Sequence, residues 1–218
     1  TTGVGMQLPK TLIHVLLDGE AIGANYPAQI PLVANSKAVV TQMLDAIGDK
    51  DVDKGHAFRR EIANLKQRIY ISLQDAWSNE LRAFEAIRSV TPENTIFALD
   101  PTVPASRAAR CLAIEQPRTY MHPHGWAGLG FSFPAAMGAK IGKPKNPVVS
   151  ITGDGGFQYN AQELGTAVQY GINPIVLMFN DSAWGVLKGY QKDRFSSNRL
   201  MGTDLINPDF IKLFGSYG

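Results

Sequence analysis

Two aspartates 27 residues apart, Asp154 and Asp181, carry the strongest chemical signal in this sequence. Asp154 stands among Gly153, Gly155 and Gly156 directly after the apolar run "PVVSIT", and Asp181 follows Asn180 at the end of a second apolar run, "NPIVLMF". Glycines at such a place free the backbone to turn and let a ligand approach closely. Amide groups of a turn that opens a helix form a nest for phosphate oxygens. If the two runs are adjacent parallel strands, both carboxylates reach the same sheet edge, where they repel unless a cation bridges them. Mg2+ held by one or two carboxylates and by phosphates solves that problem. A GDG triplet alone marks only a tight turn; the triplet, the spacing and the Asn-Asp pair together point to a diphosphate and its metal.

Other reactive groups carry weaker signals. His122 and His124 flank Pro123, and either is a candidate general acid or base, or a group that orients a substrate carboxylate, with His124 preferred. The alternative is an ordinary hydrogen-bonded loop histidine. A zinc site is not expected, since no third ligand lies at suitable spacing. His14, inside an apolar run, reads as structural, and Glu163 as a residue serving a helix end. Trp126 and Trp184 either line a pocket or pack. Cys111, the one cysteine, reads as a small buried hydrophobe that fits a reducing compartment.

The elements that position these groups follow from periodicity. "TLIHVLLD" reads as one buried strand, followed by a Gly- and Pro-containing connection and a helix from a Ser36 N-cap to Gly48. Gly48 to Arg68 reads as a linker plus an exposed helix. From Ser78 the pattern is helix, strand ("TIFAL"), irregular segment, helix ("FSFPAAMGAKIG"), strand, helix ("NAQELGTAVQYG"), strand, a helix opening near Trp184, and a last helix at Asn207 to Gly218. This alternation predicts an α/β fold, a doubly wound parallel sheet with helices on both faces, whose strand ends carry ligands. The expected organisation is residues 1–50 as the C-terminal part of a Rossmann-like central domain, 51–75 as linker and helix, and 76–218 as the diphosphate- and metal-binding domain. One βα unit at the start and a sheet cut at the end make the chain read as a fragment.

At 218 residues there is ample material for a core, and a net charge of +2 with scattered basic residues gives no nucleic-acid footprint. No apolar run approaches a membrane span, and the first ten residues lack signal-peptide character. A cytoplasmic protein without nucleic-acid or membrane partners is expected.

The block from Gly153 to Asp181 resembles the signature of thiamine diphosphate-dependent enzymes, which begins with GDG after one strand and ends with NN or ND after the next. "PRTYMHPHGWAGLGFSFPAAMGAKIG", "NPDFIKLFGSYG" and "LIHVLLDGEAIGANYPAQIPLVANSKAVV" are similar to segments of acetolactate synthase-like members, so the likeness covers essentially the whole chain. It implies Mg2+ (or Ca2+) held by Asp154, Asp181 and the Ala183 carbonyl, with the diphosphate met by the N–H groups of Gly155 and Gly156. Ala127, Gly128 and Leu129 would contact the aminopyrimidine, and the Leu129 side chain would impose the bent cofactor conformation, its alternative being helix packing. Trp184 and Tyr190 would border the substrate pocket, Tyr190 standing where relatives carry tryptophan. Val103 and Pro104 replace a Gln-His pair that reaches the diphosphate in relatives.

The expected activity is cleavage or formation of a carbon–carbon bond beside a carbonyl, foremost acetolactate synthase-type carboligation of a 2-oxo acid. A 2-oxo acid decarboxylase, a 2-hydroxyacyl lyase and a cofactor-binding module without activity of its own are the alternatives. The family's activating glutamate has no counterpart here, and the chain alone is expected to be inactive. The resemblance leaves FAD binding open and implies a homodimer or homotetramer of the intact enzyme.

Overall fold

The structure is a computed structural model that describes residues 8–48, 55–195 and 199–218. It divides into two compact units, Thr1–Asn64 and Leu65–Gly218.

In the first unit, β1 (Ile13–Leu16) pairs in parallel with β2 (Ile30–Val33), from Ile13 opposite Ile30 to Leu16 opposite Val33. The expected single buried strand is corrected on two counts. The connection contains a second strand, and β1 is only half-buried. Pro31 and the shortness of "IPLV" hide β2 from a periodicity argument. α1 (Ser36–Ile47) is capped by Asn35, whose side chain accepts from the Lys37 N–H at 3.0 Å, so Ser36 is the first helical residue and not the cap. Gly48 closes it at φ 58°, its N–H donating to the Leu44 carbonyl. His14 accepts from the Gly23 N–H at 3.2 Å, a structural role as expected.

α2 (Gly55–Val90) runs through the stretch read as linker, exposed helix and following helix, with non-helical backbone at Trp77. Residues 49–54, also assigned to the linker, lie outside the described residues.

The second unit is built on a four-stranded, all-parallel sheet in the order β4-β3-β5-β6: β3 is Ile96–Leu99, β4 Tyr120–Met121, β5 Val148–Gly153 and β6 Ile175–Phe179. The side chains divide by the two-residue strand period. Phe97, Leu99, Val149, Ile151, Leu177 and Phe179 face Leu73, Leu81 and Phe84 of α2 and Ala105, Ala108 and Cys111 of α3 (Val103–Cys111). Ile96, Ala98 and Val148 face Ala136 of α4 (Ser132–Gly142), while Val176 and Met178 join Phe133, Met137, Phe157 and Leu164. Burial on both faces explains why β5 is apolar almost throughout, as the doubly wound reading requires.

α3 occupies the segment expected to be irregular. Thr102 caps it by accepting from the Ala105 N–H at 3.1 Å, and Pro104 sits in its first turn, where a missing N–H costs nothing. The remaining helices are the short α5 (Asp154–Gln158), α6 (Glu163–Gln169), α7 (Gly185–Arg194) and α8 (Phe210–Tyr217). No described helix is long and apolar enough to cross a membrane.

Candidate functional site

The chain leaves β3 for β4 on one side and returns through α4 to β5 on the other, so the winding reverses between β3 and β5. Ligands of doubly wound sheets bind at the carboxyl ends of strands at such a switch point. Four polar residues continue the four strands there: His122 after β4, Asp100 after β3, Asp154 after β5 and Asn180 after β6.

Asp154 is 2% exposed. Its Oδ2 accepts from Nδ2 of Asn207 at 2.6 Å, and the same amide reaches Oδ1 of Asn180 at 3.0 Å. Gln158 in turn donates to Oδ1 of Asn207 at 3.0 Å. The carboxylate at the end of β5 is thereby tied to the end of β6. Asp181 begins a turn made of two side-chain-to-backbone bonds, Asn180 Oδ1 accepting from the Ser182 N–H at 3.1 Å and Asp181 Oδ1 from the Ala183 N–H at 3.2 Å. Ser182 takes the left-handed backbone at φ 52°. Ala183 pairs with Asp204 in an isolated bridge; its bonds, Trp184 N–H to Thr203 and Leu205 N–H to Ser182, do not engage the Ala183 carbonyl.

The glycines around Asp154 do not turn the backbone through left-handed conformations. None of Gly153, Gly155 and Gly156 has positive φ; what they permit is close approach. A Cβ on Gly155 would stand 2.5 Å from the Trp184 ring, and one on Gly156 2.5 Å from Oδ2 of Asp100. Trp184 thus packs over the triplet and meets Tyr159 edge-on, with ring centroids 6.0 Å apart. Tyr190, on α7, is exposed.

The segment Ala127–Phe131 arrives at the same edge through β4 and a loop. Ala127 has φ 54°, with its N–H held by the Pro123 carbonyl at 2.7 Å. Gly130 has φ 81°, and a Cβ there would stand 2.7 Å from Asn160 Nδ2, which donates to the Gly130 carbonyl at 2.8 Å. Trp126 is 92% exposed and Leu129 39%. They line an open cavity of about 460 Å³ together with Pro123, Gly128, Phe131 and Asn160.

The His122 ring lies 4.2 Å from that of His124. Both His122 nitrogens are buried without a hydrogen-bond partner. Burial lowers its pKa, the neighbouring His124 lowers it further, and Asp100 pulls the other way. His124 is exposed.

Sequence reasoning passed over Asp100, Thr152, Asn160 and Asn207. Asp100 was open to detection, because it ends an apolar strand as Asp154 does. Asn207 gave no local signal, since its partners Asp154, Gln158 and Asn180 are 53, 49 and 27 residues away. Among the described residues no three His, Cys, Asp or Glu side chains converge as a metal site.

Residues 104–218 match the family model for the C-terminal TPP-binding domain of thiamine pyrophosphate enzymes. The acetolactate synthase large subunit of Haemophilus influenzae is 33% identical over 214 residues, covering 95% of this chain and 37% of that protein. A probable acetolactate synthase large subunit of Methanocaldococcus jannaschii is 30% identical over 216 residues, covering 95% and 36%. The chain therefore spans a little over a third of the length of these relatives. A thiamine diphosphate-dependent 4-hydroxybenzoylformate decarboxylase of Rhodococcus jostii RHA1 superposes with a TM-score of 0.69 at 22% identity, over 95% of this chain and 38% of that one, and shares the fold. With more than half its residues in the matched domain, the chain belongs to the thiamine pyrophosphate enzymes, and it is similar in sequence to acetolactate synthase large subunits.

Proposed function

We propose that this chain binds thiamine diphosphate through Mg2+ or Ca2+, and that the intact protein, a homodimer or homotetramer, joins 2-oxo acids as acetolactate synthases do. The observation that supports this reading best is the buried Asp154 carboxylate at the switch point, one strand away from the acidic turn at Asp181.

The donor set fits a hard cation: two carboxylates, Asp154 and Asp181, and a carbonyl, that of Ala183, all oxygen. With no third acidic or imidazole group converging among the described residues, diphosphate oxygens suit the remainder of the shell. The Asn207 amide on Asp154 Oδ2 competes for that oxygen and has to give way to a cation. Gly155 and Gly156 lie in the first turn of α5, where amides lack intrahelical acceptors, and they are the donors assigned to the diphosphate, with Gly153 leading into the turn. On the ring side, the Ala127 carbonyl and the Leu129 N–H would hold the aminopyrimidine, with Gly128 between them, and the Leu129 side chain would offer it apolar support.

Once bound, the cofactor supplies a carbon nucleophile and an electron sink. The chain's own work is to orient the rings and exclude water. His124 is the candidate to hold a proton or orient a substrate carboxylate, and Trp184 and Tyr190 border the substrate.

Supplying the intact protein with thiamine diphosphate, Mg2+ and single 2-oxo acids, pyruvate first, and identifying products by NMR tests this reading. A 2-acetolactate product that vanishes in Asp154→Ala supports it. Aldehyde and CO2 alone would move the activity to simple decarboxylation, and absence of turnover would leave a cofactor-binding module.

A further inference from the structure

Asp100 is fully buried, and none of the ion pairs among the described residues involves it. Burying a carboxylate without a cation is expensive unless hydrogen bonds replace its water, and an apolar residue would serve packing better. Its partners come from far apart in the chain. Oδ1 accepts from the Ser132 N–H at 2.8 Å, 32 residues on, where Ser132 opens α4 directly after the ring-side segment. Oδ2 accepts from the Thr152 hydroxyl at 2.7 Å, 52 residues on, two positions before Asp154. The same oxygen lies so near Gly156 that a Cβ there would stand 2.5 Å away. One carboxylate thus bonds the residue that directly follows the ring-side segment and the residue that precedes the diphosphate-side turn, and it lies against Gly156 in that turn.

We propose that Asp100 is a positioning residue that couples the diphosphate-side turn, residues 153–157, to the ring-side segment, residues 128–131, and so fixes the spacing between the two ends of the ligand. The coupling stands on the geometry alone; its consequence for thiamine diphosphate rests on the function proposed above.

The test compares wild type, Asp100→Ala, Asp100→Asn and Thr152→Val in the intact protein by amide hydrogen exchange and by calorimetric titration of thiamine diphosphate with Mg2+. Asp100→Ala is expected to raise exchange in both segments together by about tenfold, within the range of energetic couplings between sites, while β6 keeps its protection. Asp100→Asn is expected to retain most of the protection. Its oxygen still accepts from the Ser132 N–H and its amide donates to Thr152 Oγ1, which turns its hydrogen to the Gly153 carbonyl at 3.1 Å. Thr152→Val gives a smaller rise, again in both segments. Faster exchange in one segment only, or a uniform rise across the whole sheet, overturns the coupling. If Asp100→Ala does not fold, Thr152→Val carries the same comparison. In wild type, a failure to bind thiamine diphosphate overturns the proposed function, and the exchange data still decide the coupling.

Discussion

The two stretches assigned to the cofactor are built in opposite ways. The turn after β5 is buried and closely packed, with Asp154 at 2% exposure, Trp184 against Gly155 and Asp100 against Gly156. The stretch around Leu129 is open, with Trp126 at 92% exposure and room at Gly128 for a Cβ that meets only the Trp126 ring edge, at 3.7 Å. The contrast assigns different work to the two. Charged ligand groups gain most from donors and carboxylates already fixed in place, since no reorganisation is needed on binding. Aromatic rings need apolar surface, which the exposed side of the cavity presents.

The contrast breaks most sharply at Asp154. Asp154→Ala is expected to weaken thiamine diphosphate binding in Mg2+ by at least about 100-fold, roughly 2.7 kcal/mol, measured by calorimetry. Next come the glycines. Gly156→Ala and Gly155→Ala should each lower stability by about 1–3 kcal/mol in denaturant melts, because Asp100 or Trp184 has to shift. Gly128→Ala, in ordinary contact, should stay within about 0.5 kcal/mol of wild type.

A pH titration of stability probes the open side. The pKa of His122 is lowered in the folded protein, mainly by burial, so the unfolded chain binds its proton first as pH falls. Stability is therefore unaffected by His122 above the unfolded value of about 6.5 and is lost as pH drops below it toward the lower folded value. His122→Gln should flatten that part of the profile, measured by thermal melts from pH 8 to 5. Leu129→Ala should also change stability little, by under about 1 kcal/mol for a part-exposed side chain, while its cofactor affinity falls.

What sequence alone made legible follows the same division. β5, β6 and the Asp154–Asp181 spacing were readable because buried parallel strands are continuous apolar runs with ligands at their ends. α3 was missed because Pro104 reads as a breaker, although Thr102 and an early proline are a helix start signal. β2 was missed because Pro31 interrupts a short strand. Asp100 and Asn207 act through partners 27 to 53 residues away, and only the winding of the sheet brings such groups together. The glycines around Asp154 were legible, but the packing of Trp184 against Gly155 and of Asp100 against Gly156 was not, because both partners lie outside the motif.

The central claim is that this fold presents a cation-dependent diphosphate site at Asp154 and Asp181. Its most direct test is calorimetric titration of thiamine diphosphate into the intact protein, first with Mg2+ and then with the metal chelated. Saturable binding in Mg2+ that disappears on chelation is the predicted result; equal binding in both conditions, or none in either, would contradict it.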